Sequence, residues 1–303
     1  MEFGYVPPEK LDKVNFHLPA DPAFNLPVLS LNQSAVSPAI YVGCGKWGRK
    51  DWIGKIFPER TKEKDFLQHY ISSFNSIELN ATFFRVYGPE TISGWAEKAA
   101  GTDFKFCPKA SRALTNTRDF TSPFLEKVAT DFFRGIRAFK ENLGPVFFTF
   151  EEYFSPSRKE SFYQFLETLP ADVQLFVELR HPEWFSDEGT KMELFEKLRK
   201  LKIGAVVTDV AGRRDCCHMH LTVSKAFIRF TGNHLHPTDF TRLDEWVQRV
   251  KLWSEKGLQE LYFFMHHPEE KESPELCDYF ITELNKHCGT GLQRPKFVER
   301  VQG

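Results

Sequence analysis

Between residues 75 and 84 the chain reads NSIELNATFF, and its polar side chains fall on a beat of two: Glu78, Asn80 and Thr82 alternate with Ile77 and Leu79. In an extended segment that spacing aims a carboxylate, an amide and a hydroxyl at one side. Such a face is either solvent or the wall of a site. Other short apolar runs end the same way. Lys109 closes one, Glu178 and Arg180 share a parity and precede His181 in another, Asp209 closes a third, Arg229 lies within a fourth, and His266 and His267 close the last.

Together these residues could hold a small anion. The guanidinium forks of Arg180 and Arg229 suit a carboxylate or phosphate. Glu78, Glu178 and Asp209 would balance the cations and keep every charge ionised. Glu178 or His181 could then act as general base. Lys109 could act as electrophile or, with a depressed pKa, as a Schiff-base nucleophile. Trp47 and Trp184 could stack on a flat ligand or anchor loops. The plainer reading is that the three cations merely neutralise the three acids as structural ion pairs.

Two rival chemistries use the same residue types. In CCHMH, residues 216–220, His218 and His220 stand two apart and could face one side of a strand, with His234, His236, His266 and His267 as further candidates. That would make a metal-dependent isomerase or nuclease. No HExxH-type ligand signature is present, so no metal or other cofactor is expected and a divalent metal stays the alternative. Glu78 and Glu178 could also serve as the paired acids of a glycosidase, but the surrounding cations disfavour a neutral sugar.

Elements must bring these residues together. Candidate strands cover 40–45, 75–80, 104–109, 146–151, 175–180, 204–209, 226–232 and 261–267. Helical spacing fills 61–73, 89–100, 122–142, 158–169, 187–201, 239–256 and 274–287. Eight strands alternating with helices predict an α/β fold of the (β/α)8 barrel type, in which the C-terminal strand ends form the mouth. A doubly wound open sheet is the alternative. VAGRRDCCHMHLTVSK, between the sixth and seventh strands, has no amphipathic helical pattern. Residues 1–39, rich in proline, read as an extended N-terminal arm wrapped on a single barrel domain of residues 40–303.

Composition narrows the setting. The 303 residues are 41% hydrophobic, with forty Lys and Arg against forty-one Asp and Glu. A near-zero net charge gives no global basic field, so a small anionic partner is favoured over nucleic acid, with a non-catalytic metabolite- or nucleic-acid-binding module as a further alternative to an enzyme. No run of about 18 apolar residues spans a membrane. Six cysteines without a CxxC pair, and an N-terminus without a signal-peptide pattern, point to reduced thiols in a cytoplasmic protein. The 31 phenylalanines read as core packing. Oligomeric state is not legible.

GCGKW at 43–47, FNSIELNATFFR at 74–85, FKFCPKASR at 104–112, VELRHPEWF at 177–185 and FIRFTGN at 227–233 resemble the signature segments of the DUF72 (YecE-like) family. The resemblance spans roughly residues 40–285 and implies a TIM-type barrel without supplying a reaction. It implies a shared pocket at Trp47, Glu78, Asn80, Thr82, Lys109, Glu178, Arg180, His181, Trp184, Asp209 and Arg229. Many members of the family finish the eighth strand with an Asn-Asn pair, whereas this chain has His266 and His267.

Overall fold

Eight short runs of apolar, often β-branched or aromatic residues form strands that are buried on both faces, the pattern of an all-parallel sheet. They are β1 (Ala39–Cys44), β2 (Ser76–Leu79), β3 (Lys105–Pro108), β4 (Val146–Phe150), β5 (Leu175–Leu179), β6 (Gly204–Asp209), β7 (Lys225–Thr231) and β8 (Glu260–His266). The computed structural model describes residues 3–30 and 37–299. The ends of the predicted arm and barrel, together with 31–36, lie outside the described residues. Strand order is β3-β2-β1-β8-β7-β6-β5-β4, parallel throughout. The seam between β3 and β4 is drawn together by the bridges Phe106 to Leu143 and Lys109 to Phe147. The sheet is therefore a nearly closed barrel, as the strand count predicts.

After α1 (Asn25–Ser30) in the arm, helices occupy most of the strand connections: α2 (Phe66–Ile71), α3 (Ala81–Phe84), α4 (Pro89–Ala96), α5 (Arg112–Thr115), α6 (Pro123–Ile136), α7 (Lys159–Thr168), α8 (Glu183–Ser186), α9 (Glu188–Lys200) and α10 (Pro237–Glu255), with α11 (Ser273–Cys288) following β8. None of the described helices is long and apolar enough to cross a membrane. The exception among the connections is the one from β6 to β7, where only a 3-10 turn at Arg214–Cys216 forms. The arm packs against this stretch. Asn25 donates to the carbonyl of Met219 and accepts from the amide of Leu221, both at 2.8 Å. Leu11 and Phe16 pack on Ala211, while Phe3 packs on Val210 and Cys216. The arm is not wholly extended, since it also holds a 3-10 turn at Pro8–Lys13.

Side-chain alternation sorts the barrel interior into layers. Tyr41, Cys107, Phe147, Phe176, Val206, Phe227, Tyr262 and Phe264 form one buried apolar cluster. This plug is tightly fitted. A Cβ on Gly204 would lie 2.1 Å from the Phe176 ring, so only glycine lets β6 approach at that point. Two residues beyond Cys107, Phe147, Phe176, Val206, Phe227 and Phe264, the same parity places Lys109, Thr149, Glu178, Thr208, Arg229 and His266 above the plug.

Candidate functional site

That polar layer is built on one guanidinium. Arg229, from β7, is 1% exposed and is gripped from both sides. Its Nε and Nη2 donate to the two carboxylate oxygens of Glu78 at 2.8 and 3.0 Å, and its Nη1 donates to both oxygens of Glu178 at 2.8 and 2.9 Å. Thr149 and Thr208 donate to Glu178 at 2.8 and 2.7 Å. Arg180 lies 3.4 Å from Glu178 through Nη2 and donates to Glu151 through Nη1 at 2.8 Å. Asn80 ties Glu78 to the carbonyl of Gly45. His266 Nε2 lies 2.9 Å from Glu78, and its Nδ1 lies 3.3 Å from Glu270. A Cβ on Gly45 would meet the His266 ring at 2.8 Å, so glycine there leaves room for the imidazole.

Burial opposes ionisation of Glu78, but Arg229 and His266 hold its carboxyl well below the usual range. Glu178 is likewise held low against burial by Arg180, Arg229 and Lys109. His266 is depressed by burial, yet Glu78 more than restores its basicity and leaves its pKa raised. Arg229, opposed by burial, is driven further toward the charged form by Glu178 and Glu78.

Lys109 is different. Its Nζ has no hydrogen bond or ion pair among the described residues; it rests 4.5 Å above the Phe83 ring and 5.9 Å from that of Phe147. Burial, reinforced by Arg229, lowers its pKa to about 8 against the pull of Glu178 and Glu78. The mouth thus holds an amine with no ion pair among the described residues beside carboxylates that are all paired.

The predicted site residues divide accordingly. Glu78, Asn80, Lys109, Glu178, Arg180, Arg229 and His266 come together on the inward parity at the C-terminal strand ends. Asp209 does not join them. Thr208 takes the inward position of β6, so Asp209 faces outward, where Arg242 Nη2 at 2.8 Å, Trp246 Nε1 at 2.7 Å and Arg214 hold it. Thr82 donates to the carbonyls of Leu79 and Lys109, which makes it a turn fastener. Trp184 is fully buried, donates to the carbonyl of Phe154 and anchors its loop. Trp47 packs edge-on against Trp95 at 5.4 Å, half-buried. His181 is half-buried, and its Nδ1 accepts from the amide of Glu183 at 3.3 Å.

His218 and His220 pack on the rings of Phe185 and Phe195, with no bond to a mouth carboxylate among the described residues. His218 bonds the carbonyl of Val206, His220 stacks on Phe195 at 4.0 Å, and burial lowers the His218 pKa to about 3. The expected grip of Arg180 and Arg229 on a ligand also changes, because Arg229 is engaged by carboxylates and Arg180 lies under the arm, 4.3 Å from the Phe3 ring. Thr149 and Glu151 went unread in the sequence, although the alternation of VFFTFE carries the signal. Nothing in the sequence signals Phe3.

Similarity to known proteins covers the same region. A family model described as "Protein of unknown function DUF72" matches residues 41–298. The UPF0759 protein YecE of Escherichia coli K12 is 24% identical over 265 residues, covering 82% of this chain and 93% of YecE. YunF of Bacillus subtilis is 29% identical over 157 residues, or 48% of this chain and 52% of YunF. Among solved structures, a DUF72 family protein from Thermotoga maritima superposes with a TM-score of 0.61 at 23% identity over 83% of this chain and 99% of its own. Another from Enterococcus faecalis reaches 0.62 at 12% identity, covering 86% and 100%. With barrel, segment order and family match in agreement over nearly the same residues, the chain belongs to the DUF72 family.

Proposed function

We propose that the chain is an enzyme acting on a small anionic, phosphate- or carboxylate-bearing metabolite at the C-terminal mouth of the barrel, by acid/base chemistry centred on Lys109. The observation that carries this reading is the free Lys109 amine, lowered to about 8 by burial and Arg229. An amine titrating near neutral pH can bind an anion when protonated and abstract a proton when neutral.

The rest of the layer supports a framing role. Both oxygens of Glu178 already accept hydrogen bonds from Thr149, Thr208 and Arg229, so Glu178 makes a poor mobile base. Glu78 and Glu178 share Arg229 between them rather than facing a bond to be cleaved. Their part is to fix the positive field in which Lys109 works. Where the metabolite carries a carbonyl, neutral Nζ can add to its carbon. A C–N bond then forms, the carbonyl oxygen leaves as water, and a Lys109 imine results.

A panel of small carboxylates and phosphates, with and without carbonyls, tests this in thermal-shift measurements followed by borohydride reduction and intact-mass analysis. At least one anion should raise the melting temperature of the wild type but not of Lys109→Met, since a ligand stabilises only the state that binds it. Identical shifts in both proteins, or no shift across the panel, would overturn the proposal. A borohydride-dependent mass increase localised to Lys109 would select the imine route.

A further inference from the structure

His267 points away from the polar layer, because its neighbour His266 takes the inward parity at the end of β8. On this outer shoulder His234, His267 and Glu272 each offer a ligand atom, and the three atoms lie within 4.8 Å of one another. They come from three separate places: the loop after β7, the end of β8, and the residue just before α11. From this convergence we infer that the shoulder is a binding site for a divalent transition metal, with zinc as its natural occupant.

Two features point to an ion rather than to mutual pairing. Glu272 Oε2 is buried and has no hydrogen-bond partner among the described residues, although His267 Nδ1 lies only 3.1 Å away. The two atoms are near each other but misaligned for a hydrogen bond, as donors aimed at a shared third point would be. The His234 ring is exposed, forms no hydrogen bond among the described residues, and meets the His267 ring edge-on at 4.4 Å.

The chemistry of the donor set fits. Two imidazoles and a carboxylate suit zinc and leave a fourth tetrahedral position for water. With bonds near 2.0–2.2 Å, tetrahedral ligand atoms stand about 3.3 Å apart. His267 and Glu272 already meet that spacing. Any closure of roughly 1.5 Å therefore falls on His234, the exposed ring on a loop.

Loading has a cost that makes it recognisable. His267 Nε2 accepts the backbone N–H of His234 at 2.9 Å, and the amide of Glu269 approaches Nδ1 at 3.3 Å. A metal on Nδ1 leaves the ring's proton on Nε2, which turns the His234 contact into donor against donor. The amide of His234 must then be released as the ion enters. The metal clips the loop after β7 to the start of α11, next to His266 and the mouth.

The test uses the full chain stripped with EDTA and titrated with zinc chloride by calorimetry, with hydrogen exchange of the His234 amide followed alongside. One equivalent should bind and exchange at His234 should rise. His234→Asn, which keeps a residue tolerant of the φ of +58° found there, and Glu272→Gln should each weaken binding by more than about tenfold, since even outer-shell losses reach that size. Unfolding of the metal-free variants should match that of the metal-free wild type. Absence of saturable binding, or one-equivalent binding unchanged in both variants, would overturn the assignment.

Discussion

Two buried arginine–carboxylate clusters lie at the top of this barrel, one inside the ring of strands and one outside it. Inside, Arg229 bridges Glu78 and Glu178; outside, Arg242 and Arg214 hold Asp209. Arg229, Glu78, Glu178, Asp209 and Arg242 are all almost fully buried, and Arg214 is half-buried. In the outer cluster Trp246 takes the second oxygen of Asp209, Arg242 also reaches Asp239 at 3.4 Å, and Phe16 from the arm packs 4.8 Å over Arg242. The inner one borders Lys109, a cation with no ion pair among the described residues. Charge density alone therefore does not mark a site. What distinguishes the inner cluster is a group left with chemistry to do.

Removing the inner bridge should have the largest effect. Arg229→Met leaves two buried carboxylates without their shared counter-ion and should cost about 3–5 kcal/mol in urea denaturation. The same variant should lose part of the acid limb of stability. Glu78 and Glu178 have folded pKa values held below the ordinary 4.5, so their contribution is present above that pH and lost as pH falls toward the lowered values. Arg242→Met should cost less, about 3 kcal/mol, because Arg214 and Trp246 still hold Asp209, and Asn233 still holds Asp239, the second and more distant partner of Arg242 at 3.4 Å. A larger loss at Arg242 than at Arg229 would reverse the comparison.

Lys109→Met should act in the opposite direction. Its amine is lowered from 10.5 to about 8, so below pH 8 folding must hold a desolvated ammonium, and this penalty disappears as pH rises above 10.5. Replacing it should stabilise the protein at neutral pH by roughly 1–3 kcal/mol, seen as a higher urea midpoint at unchanged slope. The smallest effect belongs to His266. Its pKa is raised, so its stabilisation is complete below the ordinary 6.5 and fades as pH rises through the raised value. His266→Gln should remove that alkaline decline, seen as a flatter dependence of the urea midpoint on pH above 6.5.

Much of the inner cluster was legible because strand alternation needs no tertiary knowledge. Glu178, Arg229 and His266 each occupy the parity set by a phenylalanine two positions earlier, and Glu78 follows Ser76 on the parity opposite to Ile77 and Leu79. Asp209 misled because it ends β6 and is charged, while the inward position belongs to the less conspicuous Thr208. Thr82 and Trp184 were read for their chemistry, yet their polar atoms are taken up by backbone carbonyls, a fact that only the folded chain supplies. The arm's contact with Arg180 through Phe3 was beyond reach, since 177 positions separate the two residues and no periodicity links them. The missing helix between β6 and β7 was visible as an absent amphipathic pattern.

The central claim is that the mouth holds a desolvated, unpaired amine at Lys109. Reductive methylation with carbon-13 formaldehyde, followed by an NMR pH titration of the dimethyl-lysine signals, measures it directly, with Lys109→Arg identifying the resonance. The account predicts a Lys109 midpoint near 8. A midpoint near the ordinary 10.5 would contradict it and return Lys109 to the company of structural cations.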